Sequence, residues 1–299
     1  MQLESAGKFF MNSPLPYRGG KNRIADEIVS ILPDGKVYVE VFGGSAALLL
    51  HKPESQMEVY NDLHSGVSNF FDVITGKKNM QEVVKQLSIL PYSRILWEKY
   101  SREWKMETDR IRKAVKWYYT QRCSFSGSGR SWGSCKSAVS SRWEASYAVL
   151  KYLRSIEMLP ELHRRMRTVQ VENLDREKVL DKYDSEETVF YMDPPYHPDV
   201  RVKKQMYEHE MNEEAHIQML MHIMSLKGSI LLSGYDHEDY RVLDRTGFRR
   251  KVINTIASLK KGENLPRQEV VWYRVNKHQN QQLQLFSNQS DPGVKIDHA

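Results

Sequence analysis

The residues with the most specific chemistry form one turn, Asp193-Pro194-Pro195-Tyr196, which directly follows TVFYM, five residues suited to a buried strand. Proline has no backbone N–H to donate to a sheet, so the strand must end at Asp193. The turn therefore combines a carboxylate, the carbonyl of a constrained residue and an aromatic ring. Together these groups could hold a flat ring that carries an amine, because they offer two acceptors and a stacking surface.

The exocyclic amine of adenine is a ligand that such a turn could activate. Its nitrogen is a poor nucleophile because the lone pair is delocalised into the ring, and acceptors on both N–H groups favour the reactive tetrahedral form. Asp193 can supply one acceptor and the Pro194 carbonyl the other, while Pro195 limits relaxation and Tyr196 stacks on the base. A plain surface turn after an edge strand is the alternative, but it leaves the wholly apolar strand unexplained.

Two further candidates also end predicted strands. Phe42-Gly43-Gly44 follows KVYVEV (36–41), and Asp62 ends MEVYND (57–62). Glycines let the backbone approach a ligand closely, and an acid that closes the next strand suits ribose hydroxyls, although a Gly-Gly turn alone is weak evidence. The Gly-x-Gly-x-x-Gly pattern of dinucleotide sites is absent from the sequence. A nucleoside cofactor without phosphates therefore fits better.

The elements around these residues alternate between strand and helix, which predicts α/β architecture with a mostly parallel sheet. Helical spacing in 63–75 places Leu63, Val67, Phe70, Phe71 and Ile74 on one side. Strands are predicted again at 167–173, 188–193 and 228–235, and Asn212 is a plausible N-cap for the helix between the last two. Residues 249–276 read as a closing antiparallel hairpin.

Residues 91–167 interrupt this alternation with a basic, helical insertion. They contain 17 Lys and Arg against 7 Asp and Glu, whereas the rest of the chain has 27 against 31. Aromatic residues alternate with the cations in KAVKWYYTQR and GRSWGSCK. Cations for phosphates mixed with rings that stack on bases favour nucleic acid over a merely solvated face. Arg122 and Arg130 flank SFSGSG and are candidate DNA contacts, although a flexible linker is a competing interpretation.

Several classes of protein and site are disfavoured. No apolar run approaches the roughly 20 residues of a membrane span, and the first residues do not resemble a secretory signal. The two cysteines, Cys123 and Cys135, are predicted to be free thiols in a reducing compartment. His216 and His222 are six residues apart on a helix, so we expect both on its surface and no metal site.

Seven motifs together resemble the Dam-like DNA adenine-N6 methyltransferases in order and spacing, over roughly residues 8–275. They are PLPYRGGK (14–21), VEVFGGSA (39–46), VYND (59–62), VQVEN (169–173), FYMDPPY (190–196), LLSGY (231–235) and RQEVVWYRV (267–275). The insertion is the weakest part of the match. The resemblance implies a Rossmann-like methyltransferase sheet with a helical insertion domain. It also implies a discontinuous catalytic domain (1–90 and 168–277) and a target-recognition domain (91–167). The polar, glutamine-rich composition of residues 278–299 predicts a flexible tail.

The resemblance also implies roles for individual residues. Those implied to line the site for S-adenosylmethionine, the methyl donor, are Tyr17, Lys21, Phe42, Gly43, Gly44 and Asp62, with Asn173 near the cofactor's adenine. Asp193, Pro194 and Tyr196 would hold a flipped adenine of double-stranded DNA, with Asp193 also near the sulfonium. Tyr17 stands where many relatives carry tryptophan, and Gly-Gly-Ser replaces a more glycine-rich turn. Both changes preserve the contacts.

Three alternatives remain open at this stage: N4-cytosine methylation, RNA adenine methylation, and a catalytically silent DNA-binding protein of the same fold. Aspartate before the prolines favours adenine, and the intact turn argues against loss of activity. We expect a cytoplasmic protein of a bacterial or phage-infected cell, without a metal. The resemblance allows a cognate restriction endonuclease as a partner, and the sequence does not predict the DNA recognition site.

Overall fold

The structure, a computed structural model, describes residues 11–17, 19–134, 146–200, 208–258 and 264–276, excluding the side chains of 256–258 and 264–267. The predicted tail (278–299) and Cys135 lie outside these residues. Seven strands form one sheet in the order β3-β2-β1-β4-β5-β7-β6. They are β1 (Val37–Glu40), β2 (Met57–Asn61), β3 (Val169–Glu172), β4 (Thr188–Met192), β5 (Ser229–Gly234), β6 (Arg249–Ser258) and β7 (Asn264–Arg274).

The sheet has the predicted direction and closure. Strands β1 to β5 run parallel, and β7 runs antiparallel between β5 and β6. Strand β1 has β2 on one side and β4 on the other, so the chain reverses its direction of travel across the sheet at this point. In parallel α/β sheets such a switch point opens a crevice at the carboxyl ends of the strands.

Helices cover both faces of the sheet and fill the segment between β2 and β3. Those in the described residues are α1 (Ala25–Val29), α2 (Ala47–His51), α3 (Ser65–Thr75), α4 (Lys77–Ser88), α5 (Arg94–Glu103), α6 (Arg110–Arg122), α7 (Tyr147–Glu157), α8 (Leu159–Met166), α9 (Arg176–Tyr183), α10 (Glu213–Ser225) and α11 (Arg241–Asp244). Asn212 caps α10 as predicted, since its Oδ1 accepts the N–H of Ala215 at 2.9 Å. Within the described ranges no helix has the length and apolar character needed to cross a membrane.

The core explains why β4 is buried throughout. All five of its residues are buried, because α10 packs on one face and the large helical layer on the other. The residues predicted on the apolar side of α3 are buried as well, except Leu63, which precedes the helix and is 39% exposed. The side chain of His64 caps α3 by accepting the N–H groups of Gly66 and Val67.

The insertion packs on helices α3 and α4 of the predicted catalytic domain through a continuous core. Trp117, Tyr118 and Tyr119 of α6 are fully buried, and the ring of Tyr118 stacks on Phe70 of α3 at 5.0 Å. The prediction that these interleaved aromatic residues stack on nucleic-acid bases is therefore wrong for α6, because their rings fill the helical layer. The domain boundaries at residues 91 and 167 stay a prediction.

Candidate active site

A cavity of about 560 Å³ opens at the carboxyl ends of the parallel strands, at the switch point. Its volume lies in the usual range for small-molecule sites. The structure brings most of the predicted site residues together there: the lining includes Tyr17, Lys21, Phe42, Gly43, Gly44, Asp62, Asp193 and, from the insertion, Arg130. Pro195 also lines the cavity, whereas Pro194 and Tyr196 do not.

The glycine turn after β1 forms the floor of the cavity, and its geometry requires glycine at both positions. A Cβ at Gly43 would lie 2.2 Å from the ring of Tyr60 on β2. Gly44 adopts a φ of +49°, and its missing Cβ leaves room for the ring of Tyr17. The Tyr60 hydroxyl donates to the Gly44 carbonyl at 2.7 Å. The backbone at this turn is therefore fixed and accessible to a ligand.

Asp62, at the end of β2, faces the same cavity. One carboxylate oxygen accepts the N–H of Gly44 at 2.7 Å, and the other accepts the N–H of His64 at 2.8 Å. Burial raises the pKa of Asp62, and these two N–H groups act against that rise. Each oxygen keeps a lone pair that could accept a hydroxyl of a ligand.

Four side chains from distant parts of the sequence meet beside the turn after β4. We call this group the acidic cluster: Lys21, Asp193, Tyr196 and Glu269. The Lys21 ammonium donates to both Asp193 oxygens at 2.6 Å and to the Tyr196 hydroxyl at 2.9 Å. The Tyr196 hydroxyl donates to Glu269 at 3.0 Å, and the Lys21 nitrogen is 3.5 Å from the same carboxylate.

The charges of the acidic cluster do not balance, since two carboxylates surround one cation. Burial acts to lower the pKa of Lys21, but Asp193 and Glu269 outweigh it and raise that pKa well above its usual value. Burial raises the pKa of both Asp193 and Glu269, against the effect of Lys21. With Lys21 protonated and both acids ionised, the cluster carries an excess negative charge that favours a cationic ligand.

Two acidic residues of this region, Glu269 and Glu40, were not predicted from the sequence as site residues. Glu269 lies on β7, next to the end of β5. Glu40 is the last residue of β1, lines the cavity and is buried, with its Oε2 accepting the N–H of Leu49 at 2.9 Å. Burial raises the pKa of Glu40 to about 8. An acid inside an otherwise apolar strand, as in VEVF and RQEVV, was the available clue.

Comparison with known families decides the relationship. The family model described as D12 class N6 adenine-specific DNA methyltransferase matches residues 17–263 of the chain. The chain belongs to this family. It is therefore an adenine-specific DNA methyltransferase, as the motifs predicted. The comparison with curated proteins found no matching relative.

Asn173 is the one predicted cofactor residue that the enzyme does not place in the cavity lining. Its amide nitrogen donates to the backbone carbonyls of Asp62 and Leu63, at 2.7 and 3.0 Å. The neighbouring Leu174 lines the cavity instead. Asn173 therefore holds the loop that carries Asp62, and contact with the cofactor's adenine is not supported by its position.

The two predicted DNA contacts have different surroundings. The guanidinium of Arg122 donates to the carbonyl of Lys151 at 3.2 and 2.5 Å, so it joins α6 to α7. Arg130 lies in a loop closed by a bridge between Ser124 and Trp132, and it lines the cavity. Of the two, Arg130 has the position that suits a DNA contact, and the DNA-binding role of both stays a prediction.

The histidines of the enzyme depart from expectation. His222 is half-buried beside Asp181, whereas His216 is fully buried, against the expectation of a surface position, and its Nδ1 lies 2.8 Å from the Tyr240 hydroxyl. The structure also brings His197, Asp199 and His237 together, with one ligand atom of each within 4.8 Å of the others. Sequence spacing alone predicted no metal site, because these residues come from two separate turns.

Proposed function

We propose that the enzyme transfers a methyl group from S-adenosylmethionine to the N6 amine of an adenine flipped out of double-stranded DNA. The observation that carries the proposal is the acidic cluster at the edge of a cavity with a glycine floor. Membership of the family shows that the enzyme methylates adenine in DNA. The methyl donor, the double-stranded form of the DNA and the flipping of the base are the parts that we propose.

The residues around the cavity fit this cofactor. Asp62 presents a fixed carboxylate to ribose hydroxyls, and the turn at Gly43 and Gly44 allows close approach of a nucleoside. The excess negative charge of the acidic cluster suits a sulfonium. When bound, S-adenosylmethionine supplies a methyl group on positively charged sulfur, which a nucleophile can accept without a metal.

Asp193 is the residue that acts on the amine. We expect one carboxylate oxygen to accept an N–H of the target adenine, and the Pro194 carbonyl to accept the other. Positive charge would develop on the amine nitrogen as its bond to the methyl carbon forms and the carbon–sulfur bond breaks, and a fixed carboxylate stabilises that charge more than it stabilises the neutral amine. The amine would then lose one proton to solvent, which leaves N6-methyladenine and S-adenosylhomocysteine. Lys21 holds both Asp193 oxygens at 2.6 Å, so the carboxylate is oriented before the substrate arrives.

Tyr196 is held at its hydroxyl by Lys21 and Glu269, and its ring lies 4.3 Å from that of Tyr235. The protein therefore fixes the orientation of the Tyr196 ring. We expect the ring to form a wall for the flipped base, with stacking worth about 1–3 kcal/mol. Extraction of the base costs a few kcal/mol, which phosphate contacts by basic residues of 91–167 would help to offset.

Transfer of a tritiated methyl group tests the proposal directly. The full chain would be incubated with labelled S-adenosylmethionine and with duplex DNA, single-stranded DNA or RNA of matched sequence, and the labelled nucleosides would be separated. We expect N6-methyladenine, mainly from the duplex, and no label with Asp193→Ala. Label on cytosine, or preference for RNA, would contradict the proposal.

A further inference from the structure

Glu208 joins one wall of the cavity to two other parts of the chain. It belongs to the segment 208–211, which precedes α10 and whose four residues all line the cavity. One Glu208 oxygen lies 2.8 Å from the Lys105 ammonium, and the other lies 3.0 Å from His64 Nε2. Lys105 follows α5 in the insertion, and His64 precedes α3. The chemistry proposed above uses neither contact.

The His64 ring is oriented so that it donates a hydrogen bond to Glu208. Its Nδ1 accepts the N–H groups of Gly66 and Val67, at 3.0 and 3.3 Å, so the proton of the neutral ring is on Nε2. The ring also stacks on Trp104, with centroids 5.5 Å apart and planes inclined by 17°. Glu208 therefore meets a donor whose position is already fixed by the protein.

The same histidine connects Glu208 to the acid that we assign to the cofactor ribose. The backbone N–H of His64 donates to Asp62 Oδ1 at 2.8 Å, while its side chain contacts Glu208. A displacement of His64 would therefore move a hydrogen-bond donor of Asp62. Glu208 acts on Asp62 through this residue, so its role is that of a positioning residue.

The contacts of Glu208 are charged and partly open to water. The hydrogen bond from His64 and the contact with Lys105 outweigh burial and lower the pKa of Glu208 to about 2, so its carboxylate is ionised at neutral pH. Hydrogen bonds to an ionised group are stronger than those between neutral groups. The Glu208 side chain is nevertheless 36% exposed, and water competes for its contacts. The contacts can therefore hold the wall in place and still open.

We propose that Glu208 holds the segment 208–211 against His64 and the insertion, and so closes the cavity over the ribose end of the bound cofactor. This inference rests on the proposed binding of S-adenosylmethionine. The closed segment slows release of the cofactor, because Asp62 and the segment line the same cavity. The Glu208 contacts open when the cofactor is exchanged for its demethylated product. The insertion therefore contributes to cofactor retention.

The dissociation rate of S-adenosylmethionine from the full-length chain tests this proposal without DNA. Stopped-flow tryptophan fluorescence measures it, since Trp104 lines the cavity. We expect dissociation about tenfold faster from Glu208→Ala, as loss of a charged hydrogen bond predicts, and a smaller increase for Glu208→Gln, whose amide oxygen still accepts from His64. Lys105→Met should increase the rate severalfold. The matched control is Glu213→Gln, an exposed glutamate outside the cavity lining, which should keep the wild-type rate.

Two comparisons distinguish this role from a merely structural one. If Lys105 acts through Glu208, Lys105→Met should have little further effect in the Glu208→Ala background. The KM for S-adenosylmethionine should rise about tenfold in Glu208→Ala, with a much smaller fall in kcat. The melting temperature without cofactor should change little in either single variant, because Lys105 is 58% exposed and Glu208 is 36% exposed.

The possible failures are distinguishable. If the wild type does not bind S-adenosylmethionine, the proposed function is wrong and this inference falls with it. If the wild type binds the cofactor and Glu208→Ala releases it at the same rate, only this inference is overturned. Additive effects of Glu208→Ala and Lys105→Met would also overturn it, because the two side chains would then act separately.

Discussion

The enzyme contains two ionic clusters at opposite ends of its parallel strands. One faces the cavity and suits a role in the reaction, whereas the other stabilises the fold. The acidic cluster lies at the carboxyl ends and has two acids for one cation. A second group, Lys52, Glu58 and Arg165, lies near the amino end of β2 and has two cations for one acid. We call this second group the basic cluster.

The basic cluster also has an uneven charge, but its one acid is fully paired within the cluster. Arg165 donates to both Glu58 oxygens at 2.5 and 2.9 Å, and Lys52 adds a third contact at 2.5 Å. Burial acts to raise the pKa of Glu58, but Arg165 and Lys52 outweigh it and lower that pKa. No member of this cluster lines the cavity. Its role is to join β2 to α8.

The acidic cluster is arranged in the opposite way. Its acids have raised pKa values, its excess charge is negative, and Lys21 and Asp193 line an open cavity. A buried charge is tolerated when partners compensate it, and here a cationic ligand in the cavity would complete the compensation. The comparison suggests that incomplete compensation facing a cavity, rather than burial of charge alone, indicates a functional site.

The largest expected effect comes from removing the acid of the active turn. Asp193→Ala should lower methyl transfer by on the order of 10³-fold or more, comparable with loss of a key electrostatic group in other active sites. Asp193→Asn should also lose most activity, because the amide lacks the charge. The fold should persist, since this side chain is 19% exposed. Single-turnover rates on duplex DNA measure the effect, with exposed Glu54→Gln as control. Near-normal turnover in Asp193→Ala would refute the assigned role.

The corresponding change in the basic cluster should affect stability instead. Glu58→Gln leaves Lys52 and Arg165 buried without their counter-charge, which should lower the free energy of unfolding by about 3–5 kcal/mol. Urea unfolding measures this loss. The variant that remains folded should still transfer methyl groups at low temperature, because Glu58 does not line the cavity. If Glu58→Gln kept the wild-type stability but lost methyl transfer, the structural role assigned to the basic cluster would be wrong.

The raised pKa of Glu40 can be tested through the pH dependence of protein stability. Its pKa in the folded protein, about 8, lies above the ordinary 4.5, so the stability that it contributes is fully present below pH 4.5 and lost as pH rises through 8. Between those values the contribution falls by up to about 1.4 kcal/mol per pH unit. We expect unfolding free energies at pH 6, 7, 8 and 9 to decline less in Glu40→Gln than in wild type. Identical pH slopes in the two proteins would contradict the shift.

The sequence predicts those parts of the site that are continuous in the chain. Asp193, the glycine turn and Asp62 each follow a recognisable strand, and parallel strands bring their carboxyl ends to one edge. Glu269 was missed because its place depends on the pairing of β7 with β5, where Gly234 lies opposite Val270. No local pattern specifies that register.

Two other features were not predicted, for related reasons. Three consecutive residues of α6, Trp117, Tyr118 and Tyr119, are all buried, so the usual single apolar face could not show which way the rings point. His197 and His237 are forty residues apart and meet only because β4 and β5 are neighbours in the sheet. Charge composition singled out one segment of the chain, but it could not separate cations that support the fold, such as Arg122, from those that face the cavity.

Arg130 should show the smallest effect, and it tests whether the insertion contacts DNA near the active site. It is the predicted DNA contact that lines the cavity, whereas Arg122 supports α7. Arg130→Ala should weaken duplex binding severalfold and lower the slope of log affinity against log salt by roughly one unit, as loss of one phosphate contact does. Arg245→Ala, an exposed arginine outside residues 91–167 and away from the cavity, is the matched control. Affinity for S-adenosylmethionine should stay unchanged in both variants, because the glycine turn and Asp62 are intact. Fluorescence anisotropy at four salt concentrations measures the slope. If Arg130→Ala keeps the wild-type slope, or if Arg245→Ala changes it equally, the DNA phosphates contact a different face of the protein.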